Sequence, residues 1–171
     1  GHAVEKESAK MFNQCRAAGI NCFDCANVYE KGKSETILGK LISGSRNDLV
    51  ITSKVYFPTS NDVNARGNTR KNIMNSINES LKRLNTEYID LYFLHRFDDL
   101  TPIEETMRVL DDLVRDGKVL YLGASNFAAW QLLPASAAVV ISGGLRSLLR
   151  TSFPTSSSPA CSLACSLLSL S

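Results

Sequence analysis

The sequence is short of histidine throughout and short of acid at one end. His2 and His95 are the only two histidines, and no Asp or Glu follows Asp116. All but two of the 19 Lys and Arg residues lie before Gln131, so 17 basic residues balance 17 acidic ones in this part of the chain. A neutral body without a basic patch argues against nucleic acid as a partner.

Long apolar runs are also missing. The longest weakly polar stretch, LLPASAAVVISGGL, is too short for a bilayer-spanning helix and contains a proline and two glycines. Five cysteines without a recognisable signal peptide favour free thiols in a reducing compartment. We therefore expect a cytoplasmic protein with no membrane partner.

What the sequence does contain is a regular alternation of apolar strands and amphipathic helices. Strands are predicted at residues 20–26, 49–55, 89–96 and 119–127, and helices at residues 5–18, 34–42, 69–85 and 102–117. The last helix is predicted to open with a capping box, Thr101-Pro102-Ile103-Glu104. Four such repeats indicate right-handed βαβ units on a parallel sheet.

Each predicted strand is apolar along its length and turns polar near its carboxyl end. These polar residues are Asp24, Lys54, His95, Ser125 and Asn126. In a (β/α)8 barrel such strand ends converge on the active site, whereas an open doubly wound sheet usually carries a glycine-rich GxGxxG turn, which this chain lacks. A lone polar residue at a strand end is usually a cap or loop anchor, but a run of them in successive units favours a partial (β/α)8 TIM barrel of about four βα units with a proton-transfer site.

Two cysteines in the first strand offer a rival interpretation, a metal or redox pair. Cys22 and Cys25 lie three residues apart in an extended segment, so their side chains are expected on opposite faces. Cys161 and Cys165 lie in an unpatterned segment, and neither pair has a histidine at ligand spacing. We therefore expect no metal site.

Four stretches together resemble a known family. FDCANVYEKGKSE, ITSK, YIDLYFLHR and GKVLYLGASNF are similar to successive motifs of the aldo-keto reductases, especially the branch with the potassium-channel β subunits and their bacterial relatives. The resemblance covers roughly residues 4–131 and implies a (β/α)8 barrel, NADPH as hydride donor, and reduction of a small-molecule carbonyl substrate. By motif it implies catalytic roles for Asp24, Tyr29, Lys54 and His95 and nicotinamide contacts from Ser125 and Asn126. Cys25 stands where threonine is common in the family, and Glu30 where glycine usually follows the tyrosine.

The chemistry of the four catalytic positions supports these roles. A carbonyl that receives hydride becomes an alkoxide and needs a proton, yet an ordinary tyrosine, with a pKa of about 10, is a reluctant acid. We hypothesise that Tyr29 is the general acid and that the Lys54 cation favours its phenolate. Asp24 would hold Lys54 charged and fixed, and His95 would orient the substrate oxygen or take part in a proton relay.

The composition changes abruptly after Gln131. We predict a partial barrel at residues 1–131 and a low-complexity Ser/Leu-rich tail at residues 132–171, whose loss of pattern suggests a shifted reading frame. The short strand that normally precedes residue 4 and the later cofactor loops of the family are not found. We therefore expect this chain alone to be a fragment that binds NADPH weakly or not at all. The alternative to a reductase is a non-catalytic interaction protein resembling a channel β subunit, and a homo-oligomer is compatible with either.

Overall fold

The computed structural model describes residues 2–132. Four helices and four strands alternate: α1 (His2–Ala17), β1 (Cys22–Asp24), α2 (Lys33–Ile42), β2 (Val50–Val55), α3 (Arg70–Leu84), β3 (Ile89–Leu94), α4 (Ile103–Arg115) and β4 (Val119–Ala124). Short 3-10 turns at Tyr29–Gly32 and Arg46–Asp48 precede α2 and β2. The tail predicted at residues 132–171 lies, apart from Leu132, outside the described residues.

The strands form one parallel sheet in the order β1-β2-β3-β4. The predicted alternation of strands and helices on a parallel sheet is therefore confirmed. Asp24 pairs with Thr52, Lys54 with Phe93, and Leu94 with Ala124, so the carboxyl ends of all the strands lie at one edge. This edge carries the polar residues that follow or end each strand.

One face of the sheet packs against the helices and forms the core. Ile51, Val55, Tyr92 and Leu94 are buried on this face, because alternate residues of a strand point the same way. The periodicity of α3 places Ile73, Ile77 and Leu84 fully buried in the same cluster. The other face carries Lys54 and, two residues apart on β3, Leu91 and Phe93, both of which are only partly buried.

Several predicted boundaries were too generous, and one predicted cap was wrong. β1 covers three residues rather than the predicted 20–26, because Cys25 and Asn27 continue only as single backbone hydrogen bonds to Thr52 and Lys54. The N-cap residue of α4 is Pro102, and its side chain makes no capping hydrogen bond. The Thr101 hydroxyl instead donates to the Asp98 carboxylate at 2.7 Å.

Within residues 2–132, none of the helices combines the length and the apolar character needed to cross a bilayer.

Candidate active site

An ion pair joins the ends of the first two strands. The Lys54 ammonium nitrogen lies 2.5 Å from Asp24 Oδ2, and the lysine side chain is only 8% exposed. The Thr52 hydroxyl donates a hydrogen bond to the other oxygen, Asp24 Oδ1. Because Asp24 pairs with Thr52 in the sheet, the lysine two residues later reaches over the end of β1. The carboxylate is thus fixed by two side chains of the neighbouring strand.

The same ammonium contacts two further oxygens. It donates to the Cys25 carbonyl oxygen at 2.8 Å and to the Tyr29 hydroxyl oxygen at 3.3 Å. It also lies 4.9 Å from the centroid of the Tyr29 ring. An ammonium has three donors, so a carboxylate, a carbonyl and a phenol account for all of them. The structure therefore brings together Asp24, Lys54 and Tyr29, as the sequence predicted.

A tight turn after β1 brings Tyr29 to this position. The turn spans Tyr29–Gly32 and contains Glu30 and Lys31 with φ values of 48° and 54°. A non-glycine residue in this left-handed region costs about 1–2 kcal/mol, because its Cβ approaches the following carbonyl. Glu30 thus occupies a backbone conformation that glycine adopts without strain.

His95 follows β3 and faces the tyrosine. Its backbone N–H donates to the Val55 carbonyl at 2.9 Å. Its ring meets Phe57 edge-on at 4.9 Å and Tyr29 edge-on at 5.9 Å between centroids. The His95 Nδ1 atom is buried and has no hydrogen-bond partner among the described residues.

The environment of His95 favours its neutral form. Burial lowers the pKa of His95 below its usual value of 6.5, and the Lys54 cation lowers it further, while Asp24 opposes the shift. A neutral imidazole carries one N–H donor and one acceptor nitrogen. At neutral pH the ring can therefore donate a hydrogen bond without adding positive charge to the site.

Ser125 and Asn126 extend the site to the fourth strand. The Ser125 backbone N–H donates to the Leu94 carbonyl at 2.9 Å. The Asn126 amide nitrogen donates to the His95 carbonyl at 2.9 Å and to the Ser125 hydroxyl oxygen at 3.1 Å. The serine hydroxyl can then donate its own proton, and the asparagine amide oxygen can accept one. This donor and acceptor set fits a carboxamide, which presents one carbonyl oxygen and one NH2 group.

Cys22 and Cys25 differ in their exposure. Cys22 is exposed and Cys25 is buried, as expected for alternate faces of an extended segment. Burial, with a smaller contribution from the Glu35 charge, raises the pKa of the Cys25 thiol to about 12. Within residues 2–132, no group of three or more His, Cys, Asp and Glu side chains is arranged to hold a metal ion.

Three features of the site were missed in the sequence: the Thr52 hydroxyl, the Cys25 carbonyl and the Phe57 ring. Thr52 had a detectable signal, because it lies two residues before Lys54 and so on the same face of β2. The Cys25 carbonyl had none, since every residue carries such a group. Phe57 lies beyond the end of β2, where the path of the chain is not set by strand geometry.

Known proteins are similar to this chain over most of its length. The model of the aldo/keto reductase family matches residues 1–142. Relatives include a putative voltage-gated potassium channel subunit beta of Schizosaccharomyces pombe, 39% identical over 77% of this chain and 39% of the relative. A probable subunit of the same kind from Arabidopsis thaliana is 38% identical over 76% of this chain and 40% of its own length. A probable voltage-gated potassium channel subunit beta from Oryza sativa subsp. japonica is 36% identical over 76% of this chain and 40% of its own length.

The chain thus spans about two fifths of the length of these curated relatives. Its parallel sheet and helices form part of a (β/α)8 barrel, in which the carboxyl ends of the strands build the active site. The match includes every strand described above and the residues at their carboxyl ends. The chain belongs to the aldo/keto reductase family.

Proposed function

We propose that this chain carries the proton-transfer site of an NADPH-dependent oxidoreductase that reduces aldehydes or ketones to alcohols. The observation that carries the proposal is the Lys54 ammonium, which contacts both the Asp24 carboxylate and the Tyr29 hydroxyl. Family membership supports an oxidoreductase, and this contact supports the kind of chemistry.

Tyr29 is the proton donor in this proposal. The carbonyl carbon gains a hydride, and the carbonyl oxygen gains the phenolic proton, so that an alcohol and a phenolate result. The ammonium of Lys54, 3.3 Å from the phenol oxygen, stabilises the negative charge that remains there. Asp24 keeps the lysine side chain in place, because a buried ammonium needs an anionic partner.

His95 orients the substrate. Its ring lies between Tyr29 and Phe57, and its lowered pKa keeps it neutral at neutral pH. A neutral N–H donor can hold the carbonyl oxygen beside the phenol without competing as an acid. These edge-on contacts fix the imidazole plane, so the direction of that donor is set before substrate binds.

Ser125 and Asn126 would hold the nicotinamide carboxamide. When bound, NADPH supplies the hydride for the carbonyl carbon. The Asn126 bond to the His95 carbonyl ties this contact to the residue that orients the substrate. The two parts of the site are thereby connected through backbone and side-chain bonds at the ends of β3 and β4.

The test is turnover by the full chain. We would follow oxidation of NADPH in the presence of a simple aldehyde. NADPH is supplied at millimolar concentration, because the described residues include contacts for its nicotinamide carboxamide only and binding is therefore expected to be weak. Wild type is expected to form the alcohol, and Lys54→Met is expected to lose this activity. Lys40→Met, which changes an exposed lysine paired with Glu5, is the matched control and should keep it. Equal rates for wild type and Lys54→Met would refute the proposal.

A non-catalytic binding function is the second candidate. It is favoured by the relatives' names, which describe voltage-gated potassium channel beta subunits. Such a chain would keep the same folded geometry but show no aldehyde turnover at any NADPH concentration. Turnover that depends on Lys54 therefore separates the two candidates.

A further inference from the structure

We propose that the ion pair between the buried Glu35 and the partly exposed Arg83 is a positioning device that holds Tyr29 against Lys54. The inference rests on the proposed function for its catalytic meaning, but its geometry can be tested separately. The pair lies on the helix side of the sheet, behind the site described above.

Glu35 is an unusual residue to bury. Its side chain is 0% exposed, and its two oxygens have different partners. Oε1 accepts from the Ser53 hydroxyl at 2.6 Å, and Oε2 accepts from Arg83 Nε at 2.7 Å. A carboxylate without water requires such partners, so these contacts tie α2 to both β2 and α3.

The first contact fixes the strand that carries the lysine. Ser53 is fully buried and immediately precedes Lys54. Successive side chains of a strand point to opposite faces, so Ser53 turns toward the helices and Lys54 toward the site. A hydrogen bond at Ser53 therefore anchors β2 directly behind the ammonium.

The second contact fixes the turn that carries the tyrosine. Gly32 ends this turn with a φ of 87°, and a Cβ built on it would lie 2.9 Å from Arg83 Cδ. The arginine side chain thus packs against the backbone of the turn. The Thr36 hydroxyl donates to the Gly32 carbonyl at 3.1 Å and links the same point to α2.

Helices α2 and α3 pack closely, so they have little room to move relative to each other. A Cβ built on Gly39 would lie 2.5 Å from the Arg83 carbonyl oxygen. The contact between Lys54 and Tyr29 is 3.3 Å long, near the upper limit of a hydrogen bond. A small displacement of either β2 or the turn would break this contact, and the ion pair restrains both.

A second ion pair in the protein offers a matched control. Arg46 and Asp90 are also 2.7 Å apart, with side chains 12% and 15% exposed. Asp90 also accepts from the backbone N–H of Ile51 at the opposite, amino end of the sheet. Loss of the ion pair between Arg46 and Asp90 should reduce stability without moving Tyr29 relative to Lys54.

The experiment measures this proximity by NMR on the full chain without cofactor. The readout is the nuclear Overhauser effect between the Tyr29 ring protons and the side-chain methylene protons of Lys54. Glu35→Gln and Arg83→Met are expected to weaken it strongly, and Asp90→Asn is expected to leave it unchanged. Ser53→Ala, a milder change that removes only the link to β2, should also weaken it if the larger variants do not fold.

Activity gives the second readout. If wild type reduces an aldehyde, Ser53→Ala and Glu35→Gln should lower kcat by roughly tenfold to a hundredfold with KM little changed, since misplacement of the acid affects the chemical step. An unchanged Overhauser effect in both Ser53→Ala and Glu35→Gln would overturn the inference. An inactive wild type would refute the proposed function, while the NMR comparison would still decide the positioning role.

Discussion

The Lys54 ammonium lies 3.3 Å from the Tyr29 hydroxyl oxygen and 4.9 Å from the centroid of the same ring. The lysine therefore contacts both the polar end and the face of the tyrosine. Its remaining donors are held by Asp24 and by the Cys25 carbonyl, so the ammonium cannot turn away without losing two shorter hydrogen bonds.

Removal of the Tyr29 hydroxyl should abolish proton transfer while keeping the fold. For Tyr29→Phe we expect a fall in aldehyde reduction of about 10²–10⁴-fold, the usual contribution of a positioned acid. The exposed Tyr121 provides the control, and Tyr121→Phe should keep the wild-type rate. Both rates are measured from NADPH oxidation under identical conditions. An undiminished rate in Tyr29→Phe would show that another group supplies the proton.

Removal of the negative partner of Lys54 should destabilise the protein. Asp24→Asn leaves the ammonium buried without an anion, and we expect the free energy of unfolding in urea to fall by about 3 kcal/mol. The double variant Asp24→Asn/Lys54→Met should lose less than the sum of the two single variants, because the unpaired charge is then removed as well. Glu5→Gln, which breaks the exposed pair with Lys40, should cost less than about 1 kcal/mol. Additive losses in the double variant would mean that the pair contributes no coupling.

The grouping of the site could be predicted because it depends on topology rather than on detail. Asp24, Lys54, His95 and Ser125 each end an apolar segment, and parallel strands place all such ends at one edge. No residue-level contact was needed for that step. The alternate faces of Cys22 and Cys25 could be predicted for a different reason, because successive side chains of an extended segment point to opposite faces.

Other features could not be predicted, since they depend on residues far apart in sequence or on competing local bonds. Glu35 and Arg83 are 48 positions apart, and nothing in either segment indicates that they form an ion pair. Thr101 has the sequence context of a helix cap, but the Asp98 carboxylate three residues earlier takes its hydroxyl. Local pattern cannot decide whether the threonine hydroxyl meets a backbone N–H of the helix or a nearby carboxylate.

The lowered pKa of His95 should make stability depend on pH. An unfolded histidine has a pKa of about 6.5, and burial holds the folded value below it. The unfolded state therefore binds more protons in the window below about pH 6.5, so stability is full above this pH and falls as the pH drops toward the folded pKa. When unfolding in urea is measured between about pH 8 and about pH 5, the free energy of unfolding should fall less with decreasing pH in His95→Gln than in wild type. An equal loss in both proteins would assign the acid sensitivity to other groups.

The buried thiol of Cys25 should resist alkylation in the folded protein. Because burial raises its pKa to about 12, it stays protonated at neutral pH, whereas the exposed Cys22 is accessible. Iodoacetamide followed by peptide mass analysis should modify Cys22 first and Cys25 only after unfolding. The raised pKa also means that stability falls as pH rises above 9.0, the usual pKa of a cysteine, toward about 12. Equal modification of both cysteines in the native protein would contradict the burial of Cys25.

Replacement of Glu30 by glycine should stabilise the turn that carries Tyr29. Glu30 has a φ of 48°, a conformation that costs a side chain about 1–2 kcal/mol but that glycine adopts freely. Part of this gain is offset by the greater freedom of glycine in the unfolded chain, so we expect Glu30→Gly to raise the free energy of unfolding by about 1 kcal/mol. Glu7→Gly, at an exposed position of α1, is the control and should lower it by about 1 kcal/mol, as glycine does inside a helix. A loss of stability in both variants would show that the Glu30 side chain contributes more than its backbone conformation costs.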